Sequence, residues 1–197
     1  MNLATRQRMT LEEYLDYDDR TDIRYELVDG VLVEMGAEST LNTQIAMFLL
    51  LHFAGLGVPA YRLANKHKIA VTSRQATARE PDLIVHSEES AAAISGQSQA
   101  LLSVDMPAPT LVVEVVSPGE AGTDNYDRDY IEKRAEYAAR SIPEYGIADP
   151  ARAVVLVLTL NGQSYQEQKF IGDRQITSSA FSSLTLTAAQ ILTAGKV

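Results

Sequence analysis

The chain has 197 residues, 46% hydrophobic and 22% charged, with a formal net charge of -9 and neither cysteine nor tryptophan. That length suits one domain with a sizeable core. The lack of cysteine excludes disulfides and thiolate zinc sites, and the negative charge argues against a protein that coats nucleic acid electrostatically.

No basic stretch followed by an apolar run opens the chain, and no apolar run is long enough to span a bilayer. A cytoplasmic location with no membrane partner is expected. Thr10 followed by Glu13 forms a capping box, which predicts a helix over about 11–17. "RYELVDGVLVEM" alternates on both sides of Asp29-Gly30 and predicts a hairpin. Ser39 or Thr40 can cap a longer helix over about 40–54, with Ile45, Phe48, Leu49 and His52 on one side and Gly55 and Gly57 ending it. Strands are expected around 60–64, 67–72 and 82–86. The segment 61–79 holds Arg62, Lys66, Lys68, Arg74 and Arg79 with no acid, and reads either as a solvated hairpin or as a phosphate-facing strip. The Ser/Ala/Gln-rich segment 87–103 reads as a loop or an exposed helical insertion.

"LVVEVVSP" (111–118) is a run of branched aliphatics with one carboxylate, the pattern of a strand buried on both faces. Glu114 left ionised and unpaired there would cost several kcal/mol, so it must be paired, protonated or metal-bound. An amphipathic helix over about 126–141 follows, placing Asp129, Lys133 and Tyr137 on one face and pairing Glu136 with Arg140. "EYGIADP" is a strand closed by Asp149-Pro150. "AVVLVLTL" and "QSYQEQKFI" flank Asn161-Gly162 as a last hairpin, and Thr187 caps a short C-terminal helix. His52, His67 and His86 have no ligand spacing and read as structural. "SPGEAGTD" has no Walker lysine pattern, so no nucleotide cofactor is expected.

Asp82 opens a strand behind Pro81, which cannot donate to a ladder. Two carboxylates from neighbouring strands and a lysine from the following helix are the grouping that metal-assisted phosphodiester hydrolysis uses. The ordered set "RYELVDGVLVEM", "PD", "EVVSP" and "DRDYIEKRAEYAARSIPEYGIADP", over about 10–160, resembles the Uma-type restriction endonuclease family of the PD-(D/E)XK nuclease superfamily. The resemblance implies an α/β fold with a restriction-endonuclease-like core, a central mixed sheet flanked by helices, over about 40–150. The N-terminal helix and hairpin (10–36) and the C-terminal hairpin and short helix (151–197) complete a single domain, 1–197.

The resemblance also implies a DNA endonuclease using Mg²⁺, with Mn²⁺ as substitute, held by Asp82, Glu114 and the Val115 backbone carbonyl. Val116 stands where the superfamily has its lysine, and the family pattern supplies that ammonium from Lys133 instead. Glu26 matches a further acidic position and either joins the site or faces water, while Asn42 falls near a polar position and Tyr137 reads as packing. Ser141 and Gly146 stand where the family has glycine and tryptophan, and Gly146 is expected to loosen its strand's end. The acidic balance predicts a weak hold on DNA, so a homodimer is expected to complete the groove. Two rivals are a non-catalytic nuclease-fold protein that binds a partner or nucleic acid, and a carboxylate-pair glycosidase, which the absence of tryptophan disfavours.

Overall fold

The structure is a computed structural model, and it describes residues 8–36, 39–74, 77–118 and 122–196. Thr10 caps α1 (Leu11–Leu15) with both bonds of the capping box. The helix stops earlier than the pattern suggests, because Asp18 and Asp19 take the backbone N–H groups of Arg20 and Thr21 into turns. β1 (Tyr25–Val28) and β2 (Val31–Glu34) form the expected hairpin, with Asp29 and Gly30 both left-handed (φ 47° and 78°), as a two-residue turn of this twist demands. The Ser39 side chain caps α2 (Thr40–Gly55), which buries Ile45, Leu49 and Phe53.

Next come β3 (Leu63–Ala64), β4 (Lys68–Val71), β5 (Thr77–Arg79) and β6 (Leu83–Val85). The short β5 was not foreseen. Segment 87–103 holds the expected exposed helix and is also tied in: α3 (Glu88–Ile94) leaves Glu88, Glu89 and Ala92 exposed but buries Ser90 and Ala91, and β7 (Leu101–Leu102) pairs parallel with β4. β8 (Leu111–Val115) is buried throughout. The helix after it is α4 (Asp124–Asp127), one wide π-helical turn (Arg128–Glu132) and α5 (Lys133–Ala139). β9 (Glu144–Asp149), the hairpin β10 (Val154–Asn161) and β11 (Ser164–Phe170), and α6 (Ala188–Leu192), capped by Thr187, complete the chain. Among the described residues no helix is long and apolar enough to cross a membrane.

The expected central sheet is two sheets, ordered β2-β1-β5-β4-β7 and β11-β10-β9-β8-β6-β3. The N-terminal hairpin belongs to the first, since Leu27 pairs with Ala78 of β5. In the second, β8 and β9 run parallel, joined by the α4–α5 crossover, while β6 pairs antiparallel with β8. β8 alternates between two cores. Leu111, Val113 and Val115 face α2 and α6, whereas Val112 and Val116 face Tyr137 and Ala138 of α5. Glu114 shares the α5 side by the two-residue period of a strand.

Gly146 does not loosen a strand end. It lies inside β9 opposite Val113 and Val157, and a Cβ there would come within 3.3 Å of Val113 Cγ2. Val113 fills the space a larger residue would need. Ser141 adopts a left-handed φ of 60°, the conformation that suits the glycine of the family pattern.

Candidate active site

The chain passes from the first sheet to the second between β5 and β6, through Arg79, Glu80, Pro81 and Asp82. β6 and β8 pair with Leu83 opposite Val113. The same antiparallel register carried one step further sets Asp82 opposite Glu114, on the same face. Pro81 cannot extend the ladder, and the Asp82 carboxylate takes its place, accepting the Val115 N–H at 2.6 Å. Asn42, near the start of α2, donates its Nδ2 to the carbonyls of Val115 (3.1 Å) and Val116 (3.3 Å), and so holds the strand end from the other side.

A cleft of about 250 Å³ opens here, lined among others by Glu26, Asp82, Glu114, Val115, Asp129 and Lys133. Every site residue expected from the sequence is therefore at one place. Lys133 is buried, with Nζ 3.0 Å from Glu114 Oε2, 3.2 Å from Asp129 Oδ1 and 3.4 Å from Glu26 Oε1. Tyr137, fully buried, donates its hydroxyl to Glu114 Oε1 at 2.8 Å. The π-helical turn, in which the Lys133 N–H reaches back to the Arg128 carbonyl, turns both Arg128 and Asp129 toward the cleft. Such turns recur at functional sites.

Glu26 does not face water. Its Oε1 accepts the Glu80 N–H at 3.0 Å and its Oε2 lies 3.2 Å from Arg79 Nη1. Burial alone would raise its carboxyl, but Lys133 and Arg79 outweigh burial and hold it down at about 2. Burial pushes Glu114 the other way, well above the usual carboxylate range. Lys133 opposes that rise, while Asp129, Asp82 and Glu26 add to it. The Lys133 ammonium is itself raised: burial disfavours its charge, but Glu114, Glu26 and Asp129 more than compensate. Lys133 and Glu114 thus do not behave as a simple ion pair. Several carboxylates crowd one ammonium, and a proton is most cheaply retained on Glu114, the acid in the middle of them.

Sequence reasoning missed Arg79. Its guanidinium is buried and grips Glu136 with two bonds (2.7 and 2.8 Å) and Glu132 with a third (3.0 Å), besides Glu26. It ties β1 and β5 to the helix that carries Lys133. Two expectations fall with it. Segment 61–79 is not one basic strip, since Arg79 is internal, Lys68 pairs with Glu80 and Arg62 with Glu88. Glu136 does not pair with Arg140, which instead donates to the carbonyls of Ser103 and Met106. The available signal was a charge inside a strand-like segment, "TAR", as informative as Glu114 in its own strand. Glu80, two residues before Asp82, and Arg128, next to Asp129, were missed as well.

A family model described as "Uma2: Putative restriction endonuclease" matches residues 11–189. The chain belongs to the Uma2 family. Among solved structures, a "putative nuclease belonging to DUF820" from Anabaena variabilis is similar, with a TM-score of 0.70 and 15% identity over 95% of this chain and 99% of that one. At that identity the likeness shows a shared nuclease-like fold. No curated protein matches the sequence. Glu26, Asp82, Glu114 and Lys133, the four residues singled out in the sequence, all line this cleft.

Proposed function

We propose that this Uma2 protein is a divalent-metal-dependent DNA endonuclease and that the cleft at Glu114 is its active site. The observation that carries the reading is the convergence of Glu26 from β1, Asp82 from the β5–β6 connection, Glu114 from β8 and Lys133 from α5 on one cleft. The donor set suits Mg²⁺, with Mn²⁺ as substitute. Asp82 and Glu114 offer carboxylate oxygens and Val115 a carbonyl, and all are hard oxygen ligands. Lys133 and Tyr137 occupy one lone pair on each Glu114 oxygen, which leaves two more. Among the described residues no three acids or histidines form a ready-made cage, so an Mg²⁺ held by these groups would keep several waters. Such an ion would polarise the scissile phosphate and acidify water.

The chain's own residues do the rest. Lys133 presents its ammonium to the negative charge that grows on the phosphoryl oxygens. Glu26 and Asp129 hold that ammonium in place, and Arg79 holds Glu26. Arg128, on the cleft wall, adds a second cation for the phosphate. With a net charge of -9 the body attracts DNA weakly, and a homodimer would supply a longer groove.

The test is cleavage of single- and double-stranded DNA by purified protein in Mg²⁺ or Mn²⁺, with Glu114→Ala alongside. Metal-dependent products absent from the mutant support the reading; equal activity in the mutant, or none in the wild type, removes it. The burial of Val116 at the superfamily's lysine position favours a second reading, binding without cleavage. Retention of intact DNA by an inactive wild type would select it.

A further inference from the structure

A second notch, of about 230 Å³, lies beside the cleft and shares Asp82 with it. One side is apolar, formed by Met47, 45% exposed, and Leu50 of α2. The other carries Arg24, Asn65 and Lys66. Arg24 is held by Glu80, itself on the wall of the main cleft, so the two spaces are joined by a fixed ion pair as well as by Asp82. Lys66 differs from its neighbours. Arg62, Lys68 and Arg79 are each neutralised by a carboxylate. Lys66 is exposed, and among the described residues it makes no ion pair or hydrogen bond. It also holds a left-handed backbone (φ 64°), a conformation uncommon for a non-glycine residue. A lone cation aimed out of an acidic body beside an apolar wall suits a ligand that is anionic on one side and flat or apolar on the other.

We propose that this notch is a subsite for the substrate DNA strand, taking the nucleotide that flanks the scissile phosphate. It rests on the nuclease reading of the main cleft. A strand with one phosphate at Glu114 and Lys133 continues past Asp82 into the notch. There Lys66 meets the next phosphodiester, Asn65 offers hydrogen bonds to it, and Met47 and Leu50 pack against the sugar and base. Lys66 positions the strand and takes no part in the chemistry.

The experiment is fluorescence anisotropy of a labelled DNA oligonucleotide in Mg²⁺ over a series of salt concentrations, on a Glu114→Gln background so that the strand stays intact. Lys66→Asn removes the charge with a residue that accepts the left-handed backbone, Lys66→Arg keeps the charge, and Lys169→Asn controls for loss of any exposed lysine. Cleavage is measured in parallel with Glu114 restored. Losing one phosphate contact lowers the slope of log affinity against log salt by about 0.7–0.9, a drop of about five- to eightfold at 0.1 M salt. Lys66→Asn should show both losses, while Lys66→Arg and Lys169→Asn stay near the parent. Unchanged affinity and slope in Lys66→Asn, with a wild type that cuts, overturns the subsite and leaves the nuclease reading standing. Binding that depends on Lys66 in a protein that never cuts keeps the subsite as a strand-binding site and removes the nuclease reading. A protein that neither binds nor cuts DNA overturns both.

Discussion

Lys133 Nζ lies 3.0 Å from Glu114 Oε2, joining a strand buried on both faces to the helix that covers one of them. The contact follows from the alternation of β8. Glu114 falls on the side facing α5, so an ammonium at the start of α5 can serve it, and the strand position two residues on is free to be Val116, buried against Tyr137. If Lys133 stabilises the transition state, Lys133→Ala lowers cleavage by about 2–4 kcal/mol. Lys133→Arg restores it incompletely, because a planar fork does not replace a compact ammonium. Single-turnover cleavage in Mn²⁺ makes the comparison, and full activity in Lys133→Ala ends the assignment.

Glu26, Glu114 and Asp129 meet that ammonium within 3.4 Å and Asp82 lines the same cleft, so a divalent cation bound among these carboxylates should stabilise the fold. Mg²⁺ at a hundredfold its dissociation constant adds about 2.7 kcal/mol to a state that alone binds it. A rise in Tm with Mg²⁺ is expected for wild type and not for Glu114→Gln. The same rise in the mutant would exclude Glu114 as a ligand.

Arg79 bridges β5 to Glu26, Glu132 and Glu136 from a buried position. Arg79→Met leaves Glu26 and Glu136 short of a counter-charge and should cost about 3–5 kcal/mol in urea denaturation. Arg79→Lys recovers part of this, since one ammonium cannot reproduce the two bonds to Glu136. A loss under about 1 kcal/mol in Arg79→Met would show that the network relaxes without it.

His86 is buried, with Nε2 3.1 Å from His67 Nδ1 and Nδ1 3.1 Å from Ser90 Oγ. Burial, then His67 and Arg62, lower its pKa from 6.5 to about 4. The unfolded chain therefore takes up the proton first. The stability held by neutral His86 is complete above pH 6.5 and drains away as the pH falls toward 4. His86→Asn should be less stable than wild type at pH 7 and lose less between pH 6.5 and 4. Parallel curves of Tm against pH for the two proteins would reject this.

Local chemistry made several elements legible in the sequence. The Thr10–Glu13 box, the Asp29-Gly30 turn, the Ser39 cap and the Thr187 cap each need only a few adjacent residues, and each forms. Glu114 could be singled out because a carboxylate in an apolar strand must find a partner, and the order of motifs pointed to Asp82, Lys133 and Glu26. What the partners would be was decided only in three dimensions. Glu26 reads equally well as a solvent-facing hairpin residue until Arg79 and the Glu80 N–H arrive from β5 and the crossing after it. Lys66 and Lys68 belong to one basic segment, yet Glu80 neutralises Lys68 and leaves Lys66 bare. A backbone pattern repeats within a few residues and can be read from them, whereas a charge takes its partner from whichever distant segment packing brings within about 4 Å, where most of the electrostatic energy is gained.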